Sequence, residues 1–517
     1  MSIAFRSFLA AGAVVAAALS NPGRAAEAST IGYHDVKVDA DGKIVPWFGA
    51  GPAQAYDHVI GRVWNFWVTM RPCPNGVPYY LLHQVWKADQ DDPRGLGGDQ
   101  INMALSSWNL LYGYNGDPAV RANMRLIADY WMDHGMAPSG LRWGDLPYPY
   151  NLTTTTGRYD GDMRAGPGFL QPDKAASFGA ELIMLYQATG ERRYLDCAVR
   201  IADRLVRNAT PGDESNSPWP FRVHAATGVV PEERNDHDHL IYRACYTTNW
   251  TGALRLFDGL AALGVGRPDA YRRTAALVTA WLKKYPLVNN RWGPFFEDVS
   301  TKDYSDTEIN ADTLAMYILE HPGWDPQGAA QARGILDWTY RTFANHQYDK
   351  WGVVVINEQT QFPVPGNSHT SRHASVELLY AEKTGDISAR DAAIRRLTWA
   401  TYWVDFDGKN RYPGDDIWLT DGYGDFIRHY LRAMASDPEL APRDQNHLLR
   451  TSSVITRITY EPAAIRFRTF DHGSDELFRI GRGTPTKVKG GTMEWDPAAQ
   501  ILRVHAKAPE VVVRLQP

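Results

Sequence analysis

The sequence predicts a mainly helical protein, a closed ring of six helical hairpins followed by a small β-domain. Three observations carry that expectation. One unit recurs along the chain: an apolar helical stretch, a short Gly-containing turn, a second helical stretch and a long loop. Short turns and long loops alternate strictly, which gathers every long loop at one end of the assembly. After about Arg450 the helical spacing gives way to strand alternation.

Composition agrees with a large packed core. Of 517 residues, 44% are hydrophobic and 22% charged, which excludes a disordered tail, a coiled coil or a collagen-like fibre. Lys and Arg number 54 against 59 Asp and Glu, a net charge of −5 that argues against the basic surface of a nucleic-acid binder. A small basic pocket for an acidic sugar remains compatible with that balance.

Residues 1–28 read as an export signal. Arg6 precedes an apolar run from Phe8 to Leu19, and small residues lead to cleavage near Ala28, with Gly23-Arg24-Ala25 the alternative. No Cys lies near the cleavage region, which argues against a lipoprotein, and no later stretch is apolar and long enough to span a bilayer. The mature chain is therefore expected to be exported, periplasmic or secreted, with no membrane anchor. Residues 29–50 form an extension whose Asp41-Gly42 suits a hairpin turn, expected to pack on the β-domain or plug one end of the ring.

Twelve helices follow, near 53–70, 99–114, 117–134, 173–189, 191–208, 246–263, 267–284, 306–320, 326–344, 371–384, 387–403 and 418–434. The spacing of Phe178, Leu182, Leu185 and Tyr186, then of Tyr194, Ala198, Ile201 and Leu205, shows the helical period on both sides of one turn. The turns, such as Asn115-Gly116-Asp117-Pro118 and Thr189-Gly190-Glu191-Arg192, join a helix-ending Gly to residues suited to the next start. The first helix is expected beside the twelfth, closing a ring over residues 51–440. Residues 450–517 alternate as strands, for example Ile465-Arg466-Phe467-Arg468-Thr469-Phe470. Cys73, Cys197 and Cys245 allow at most one disulfide and match no metal spacing.

From about residue 50 to 435, the repeat plan resembles the six-hairpin glycosidase-like superfamily, the (α/α)6 toroids of many glycoside hydrolases, unsaturated-uronyl hydrolases and some polysaccharide lyases. Gly98-Asp99-Gln100-Ile101-Asn102-Met103 and Pro172-Asp173-Lys174-Ala175-Ala176-Ser177 carry the resemblance with it. It implies an active-site mouth built from the long loops and the inner-helix starts, near Asp99, Asp173, Tyr246, Asp306, Ser371 and Trp418. Unsaturated-uronyl hydrolases use Asp residues at such starts, and Asp99 and Asp173 sit at matching places. Their exact motifs are not reproduced here, and the C-terminal β-domain departs from their usual single-domain plan.

Each long loop also holds one Trp: Trp86, Trp143, Trp219, Trp292, Trp351 and Trp418. Indole faces suit the axial C–H face of a sugar ring, while the same residues can equally pin loops to the ring. Carboxylates gather at the helix starts as Asp99, Asp173, Asp306, Glu308, Asp312, Asp421 and Asp425, either as helix caps or as the carboxyl pair that glycosidic hydrolysis needs. The helix field favours ionised Asp99 and Asp173, as base or nucleophile. Glu308 and Asp312, four residues apart, share a helix face, where repulsion is expected to raise the apparent pKa of the pair; a cation site or a solvated face fits the spacing as well. The catalytic candidates are Asp99, Asp173 and Asp312.

A polar set, Asn249, Trp250, Arg372, His373 and Tyr423, offers what β-elimination from a uronate requires, a charge-neutralising group with a base and an acid. With Trp143 and Trp219 these residues form the expected substrate-binding group. Asn235-Asp236-His237-Asp238-His239 reads as a polar loop without a third zinc-like ligand, Gly95-Leu96-Gly97-Gly98 lacks a dinucleotide fingerprint, and no Gly-x-Ser-x-Gly occurs. No metal and no cofactor are expected. The preferred function is hydrolysis of glycosidic bonds in a poly- or oligosaccharide. Polysaccharide lyase is second and non-catalytic saccharide binding third.

Overall fold

The computed structural model describes residues 30–83, 95–152, 157–235, 238–295, 306–411 and 423–516. Among them, twelve long helices follow one another: α1 (Pro52–Val68), α2 (Gly98–Asn115), α3 (Pro118–His134), α4 (Pro172–Thr189), α5 (Arg192–Asn208) and α6 (Thr251–Leu263). Then come α7 (Pro268–Lys284), α8 (Glu308–Glu320), α9 (Gly328–Phe343), α10 (Asn367–Thr384), α11 (Arg390–Thr401) and α12 (Tyr423–Ser436). The even-numbered helices form the inner ring, each packed on the next, and α12 returns to α2. Helices α3, α5, α7, α9 and α11 back the inner helices from outside, and α1 lies against α11 and α12. The predicted toroid is therefore present and closed.

The two rings differ in how they use sequence. Outer helix α5 buries one stripe, Tyr194, Leu195, Cys197, Ala198, Ile201, Ala202 and Leu205, and turns most of its charge to solvent. Inner helix α10 is buried at every position from Asn367 to Leu379, polar residues included. Turn chemistry sets the boundaries. Gly116 and Gly190 end α2 and α4 in the left-handed region, with φ of 69° and 77°, and Asp117 caps α3 by accepting from Ala119 N at 2.9 Å.

Two inner-helix starts move from their predicted places. Helix α6 begins at Thr251 rather than near Tyr246: Thr247 and Thr248 donate their hydroxyls to Pro294 O and Trp292 O at 2.7 and 2.6 Å and tie that stretch to the loop before α8. Helix α10 begins at Asn367, four residues before Ser371, which places His369 and Arg372 in its first turns. Asp306 does not cap α8. Its Oδ1 accepts from the backbone of Trp292 and Gly293, and Thr307 provides the cap.

The C-terminal region is a sandwich of two four-stranded antiparallel sheets. Its strands are β1 (Asn446–Thr451), β2 (Ile455–Glu461), β3 (Ala464–Thr469), β4 (Asp475–Ile480), β5 (Thr484–Lys489), β6 (Gly491–Asp496), β7 (Ile501–Ala506) and β8 (Glu510–Gln516). The sheet orders are β1-β4-β7-β6 and β2-β3-β8-β5, with Phe467 and Phe478 meeting between them at 5.5 Å. The sandwich covers the short-turn end of the ring, opposite the inner-helix starts. There the Tyr460 hydroxyl donates to Gly113 O at 2.5 Å and Arg121 donates to Ile455 O at 2.8 Å.

The N-terminal extension takes neither expected position. Its hairpin pairs Lys37–Val38 with Ile44–Val45, and it lies against the end of α11 through Trp47 Nε1 to Thr401 O at 2.8 Å and Tyr402 Oη to Val45 O at 2.6 Å. The three cysteines are free thiols. No described helix is long and apolar enough to cross a membrane. Residues 1–28, the expected leader, lie outside the described residues.

A tryptophan cluster anchors α2. Trp108 is fully buried, with Trp64 and Trp67 at 5.1 and 5.3 Å. Trp108→Ala is expected to cost about 3–5 kcal/mol, read as a lower guanidinium midpoint at unchanged slope.

Candidate functional site

All six inner helices start at the long-loop end, so their first turns surround one axis. Residues from five of them line one axial cavity. Asp99 and Asn102 reach it from α2, Lys174 and Ser177 from α4, and Asn249 from the segment just before α6. Gly97, just before α2, is required by close approach: a Cβ there would meet the Tyr150 ring at 2.4 Å and Gln100 Oε1 at 2.5 Å.

One polar cluster centres on Asp173. Its Oδ2 accepts from Lys174 Nζ at 2.7 Å and from Asn249 Nδ2 at 2.9 Å, and Lys174 also donates to Phe295 O at 2.8 Å. The ammonium stands 3.6 Å from the Phe295 ring centroid, and Asn102 Nδ2 fixes the Lys174 carbonyl at 2.9 Å. Asp173 Oδ1 and Asp99 Oδ1 are both buried without a hydrogen-bond partner. Burial pushes the Asp99 carboxyl above its ordinary value, against the pull of Lys174 and of the helix-start N–H groups.

A second cluster joins α8, α10 and α12. Arg372 bridges Glu308 and Asp425, and His369 Nδ1 meets the same Glu308 oxygen. Asp425 also takes Ser368, Arg428 and His429 Nε2, the last at 3.0 Å. Burial pushes Glu308 well above the carboxylate range, with Arg372 opposing it. For Asp425 the burial effect is reversed by Arg372 and Arg428, which hold it well below. Burial drives His369 down to about 4, so its imidazole is neutral at physiological pH.

The candidates from sequence divide. Asp99 and Asn249 line the axial cavity, and Asp173, fully buried, stands behind it bonded to Asn249. Arg372 joins the second cluster, while Asp312 and His373 lie behind it. Asp312 accepts from Thr339 of the outer helix α9 at 2.8 Å and meets His373 Nδ1 at 2.9 Å, and His373 Nε2 is 3.5 Å from Glu377. The pair thus works between helices rather than in the cavity. The Glu308–Asp312 face is split in the same way, one residue turned to His369 and the other to Thr339.

The tryptophans correct an expectation. Trp143 is almost wholly buried and Trp219 and Trp250 fully so, leaving no indole face for a sugar. Trp219 Nε1 donates to Leu205 O at 2.8 Å, Trp250 Nε1 donates to Thr247 O at 2.7 Å, and the two rings pack 4.9 Å apart. They pin loops to the ring. Trp292 is buried as well, and Trp351 lies partly covered against Tyr348. Trp86, Trp418, Asp421, Asp236 and His237 lie outside the described residues, as does the side chain of Tyr423. Asp238 accepts from the Tyr242 hydroxyl at 2.5 Å, and no group of three metal-ligand types occurs among the described residues.

Lys174 and His369 are the site residues the sequence left unmarked. Lys174 follows Asp173 directly, and His369 stands one helical turn before His373, so each had a signal in its neighbour.

No family model and no curated protein matches the chain. Among solved structures it is similar to a sugar epimerase from a ruminal bacterium, at 13% identity and TM-score 0.53, covering 72% of this chain and 97% of that one. Cellobiose 2-epimerase from Spirochaeta thermophila gives 12% and 0.55, covering 75% and 98%. A D-mannose isomerase gives 10% and 0.54, covering 76% and 99%. At these identities the likeness is one of fold, the six-hairpin toroid.

The raised Asp99 carboxyl has a thermodynamic signature. A carboxyl raised by folding is tolerated while protonated, and its cost appears as pH rises through the folded-state value. Asp99→Asn should raise the thermal midpoint at pH 8, with the gain fading toward pH 3; an equal gain at both pH values would refute the assignment.

Proposed function

We propose that the chain is a carbohydrate-active enzyme that hydrolyses glycosidic bonds, with Asp99 and Asp173 as its two carboxyl groups. The carrying observation is the contrast in environment between Asp99, which lines the cavity, and Asp173, buried behind Lys174 and Asn249, which line it too. Asp99 is raised by burial, and Asp173 is bonded to an ammonium and an amide. Two carboxyl groups in different environments can divide the roles of acid and base.

In this reading Asp99, protonated, gives its proton to the leaving oxygen, so the base role suggested by the helix field passes to Asp173 alone. Lys174 and Asn249 hold Asp173 Oδ2, leaving Oδ1 as the acceptor for a proton from attacking water. Asn102, Ser177 and Asn249 supply amide and hydroxyl partners for sugar hydroxyls. The names of the similar solved structures, two sugar epimerases and a sugar isomerase, support the substrate class. The expected leader would place this activity outside the cytoplasm.

A second reading is favoured by one observation, the neutral His369 held by Glu308 beside Arg372. A neutral imidazole next to a guanidinium suits proton abstraction from a sugar carbon, as in epimerisation or in the β-elimination of a lyase.

Assays on a panel of neutral and uronate-containing oligosaccharides separate the two. Hydrolysis releases reducing ends without new ultraviolet absorbance, elimination creates that absorbance, and epimerisation changes composition without cleavage. Asp99→Asn and Asp173→Asn are each expected to lower the hydrolytic rate by about a hundredfold or more, with His369→Asn far milder. The reverse order of effects would move the chemistry to His369.

A further inference from the structure

Below the mouth the cavity changes character. Midway down, Arg255 of α6 and Arg428 and Arg432 of α12 converge on it with Glu181 of α4 and Ser106 of α2. Glu181 lies eight residues beyond Asp173 on one helix, about 12 Å further along the axis at 1.5 Å per residue. Two of the arginines have partners. Arg255 pairs with Glu320 at 2.7 Å, and Arg428 pairs with Asp425 and donates to the Ser106 hydroxyl at 2.9 Å.

Arg432 lines the cavity without a hydrogen bond or ion pair to any described residue, and Glu181 accepts none. Burial, with repulsion from Arg428, takes the Arg432 guanidinium down to about 9. Burial likewise lifts Glu181 to about 7 in spite of three nearby arginines. Three guanidiniums thus meet Glu320, Asp425 and Glu181 at this level, and Glu181 makes no ion pair with any of them. Arg432 and Glu181 are partly exposed to the cavity, and a guanidinium fork is matched by two anionic oxygens.

We infer that Arg432, with Arg428 and Arg255, binds the carboxylate or sulfate of an acidic saccharide that enters from the mouth. The inference rests on the reading of the cavity as a saccharide channel and adds the substrate class. The anion lies against the arginines, Glu181 and Ser106 take neighbouring hydroxyls, and the bond to be cleaved stays at the level of Asp99. A neutral sugar would leave Arg432 unmatched.

Calorimetric titration tests this with tetrasaccharides of galacturonate, mannuronate and hyaluronan, neutral cellotetraose and maltotetraose, and sodium sulfate alone. At least one acidic tetrasaccharide should bind at least about tenfold tighter than the neutral ones, more weakly as salt rises, since a charged hydrogen bond is worth that factor. Arg432→Gln should remove the preference without weakening neutral binding, and Arg432→Lys, which keeps the charge, should restore part of it. Equal affinity for acidic and neutral sugars, or a preference untouched by Arg432→Gln in a folded variant, overturns the inference while leaving glycosidic cleavage standing. Binding of sulfate but of no saccharide, or of no probe at all, overturns both.

Discussion

The arrangement depends on one geometric constraint, that the six inner helices all begin at the same end of the ring. Their first turns bring free N–H groups and positive dipole ends to one axis, and Asp99, Asp173, Glu308 and Asp425 all lie in those turns. The fields are shared, yet the outcomes differ. Asp425 has two guanidinium partners and stays ionised, while Asp99 has no hydrogen-bond partner on one oxygen and is raised by its burial. Solvent exclusion outweighs the dipole wherever a direct cationic contact is missing.

Much of the ring was legible in the sequence because its signals are local. A Gly that must adopt positive φ after a helix, as at Gly116 and Gly190, is written into the residue itself, and so is the Asp117-Pro118 start. The start of α6 was not legible, because the hydroxyls of Thr247 and Thr248 are claimed by carbonyls some 45 residues away. Local periodicity carries no trace of such partners.

The site was legible by position and less so by direction. Helical spacing put Asp312 and His373 on helices with an axial face, but only packing decides that both turn toward α9 and Glu377. A Trp in a loop has the same composition whether it pins the loop or offers a face; Trp219 and Trp250 are consumed by one another. Asp99 and Asp173 were visible because a carboxylate in a first turn is conspicuous. Lys174 was hidden beside its partner. Buried charges such as these are weak contributors to stability, since the cost of removing them from water offsets much of their attraction.

The inner ring has a seam. Five of its contacts join neighbours along the chain, but α12 meets α2 with more than 300 residues between them and no turn to tie them. The β-sandwich lies across that join. Tyr460 donates to Gly113 O, His447 Nδ1 meets Tyr114 O at 2.9 Å, and Arg450 donates to Ala435 O at 2.8 Å. The first two finish the carbonyl end of α2 and the third that of α12, so one small domain clasps both sides of the closure. The appended strands thereby act as a buckle, and the seam they fasten is where the ring would first part without them.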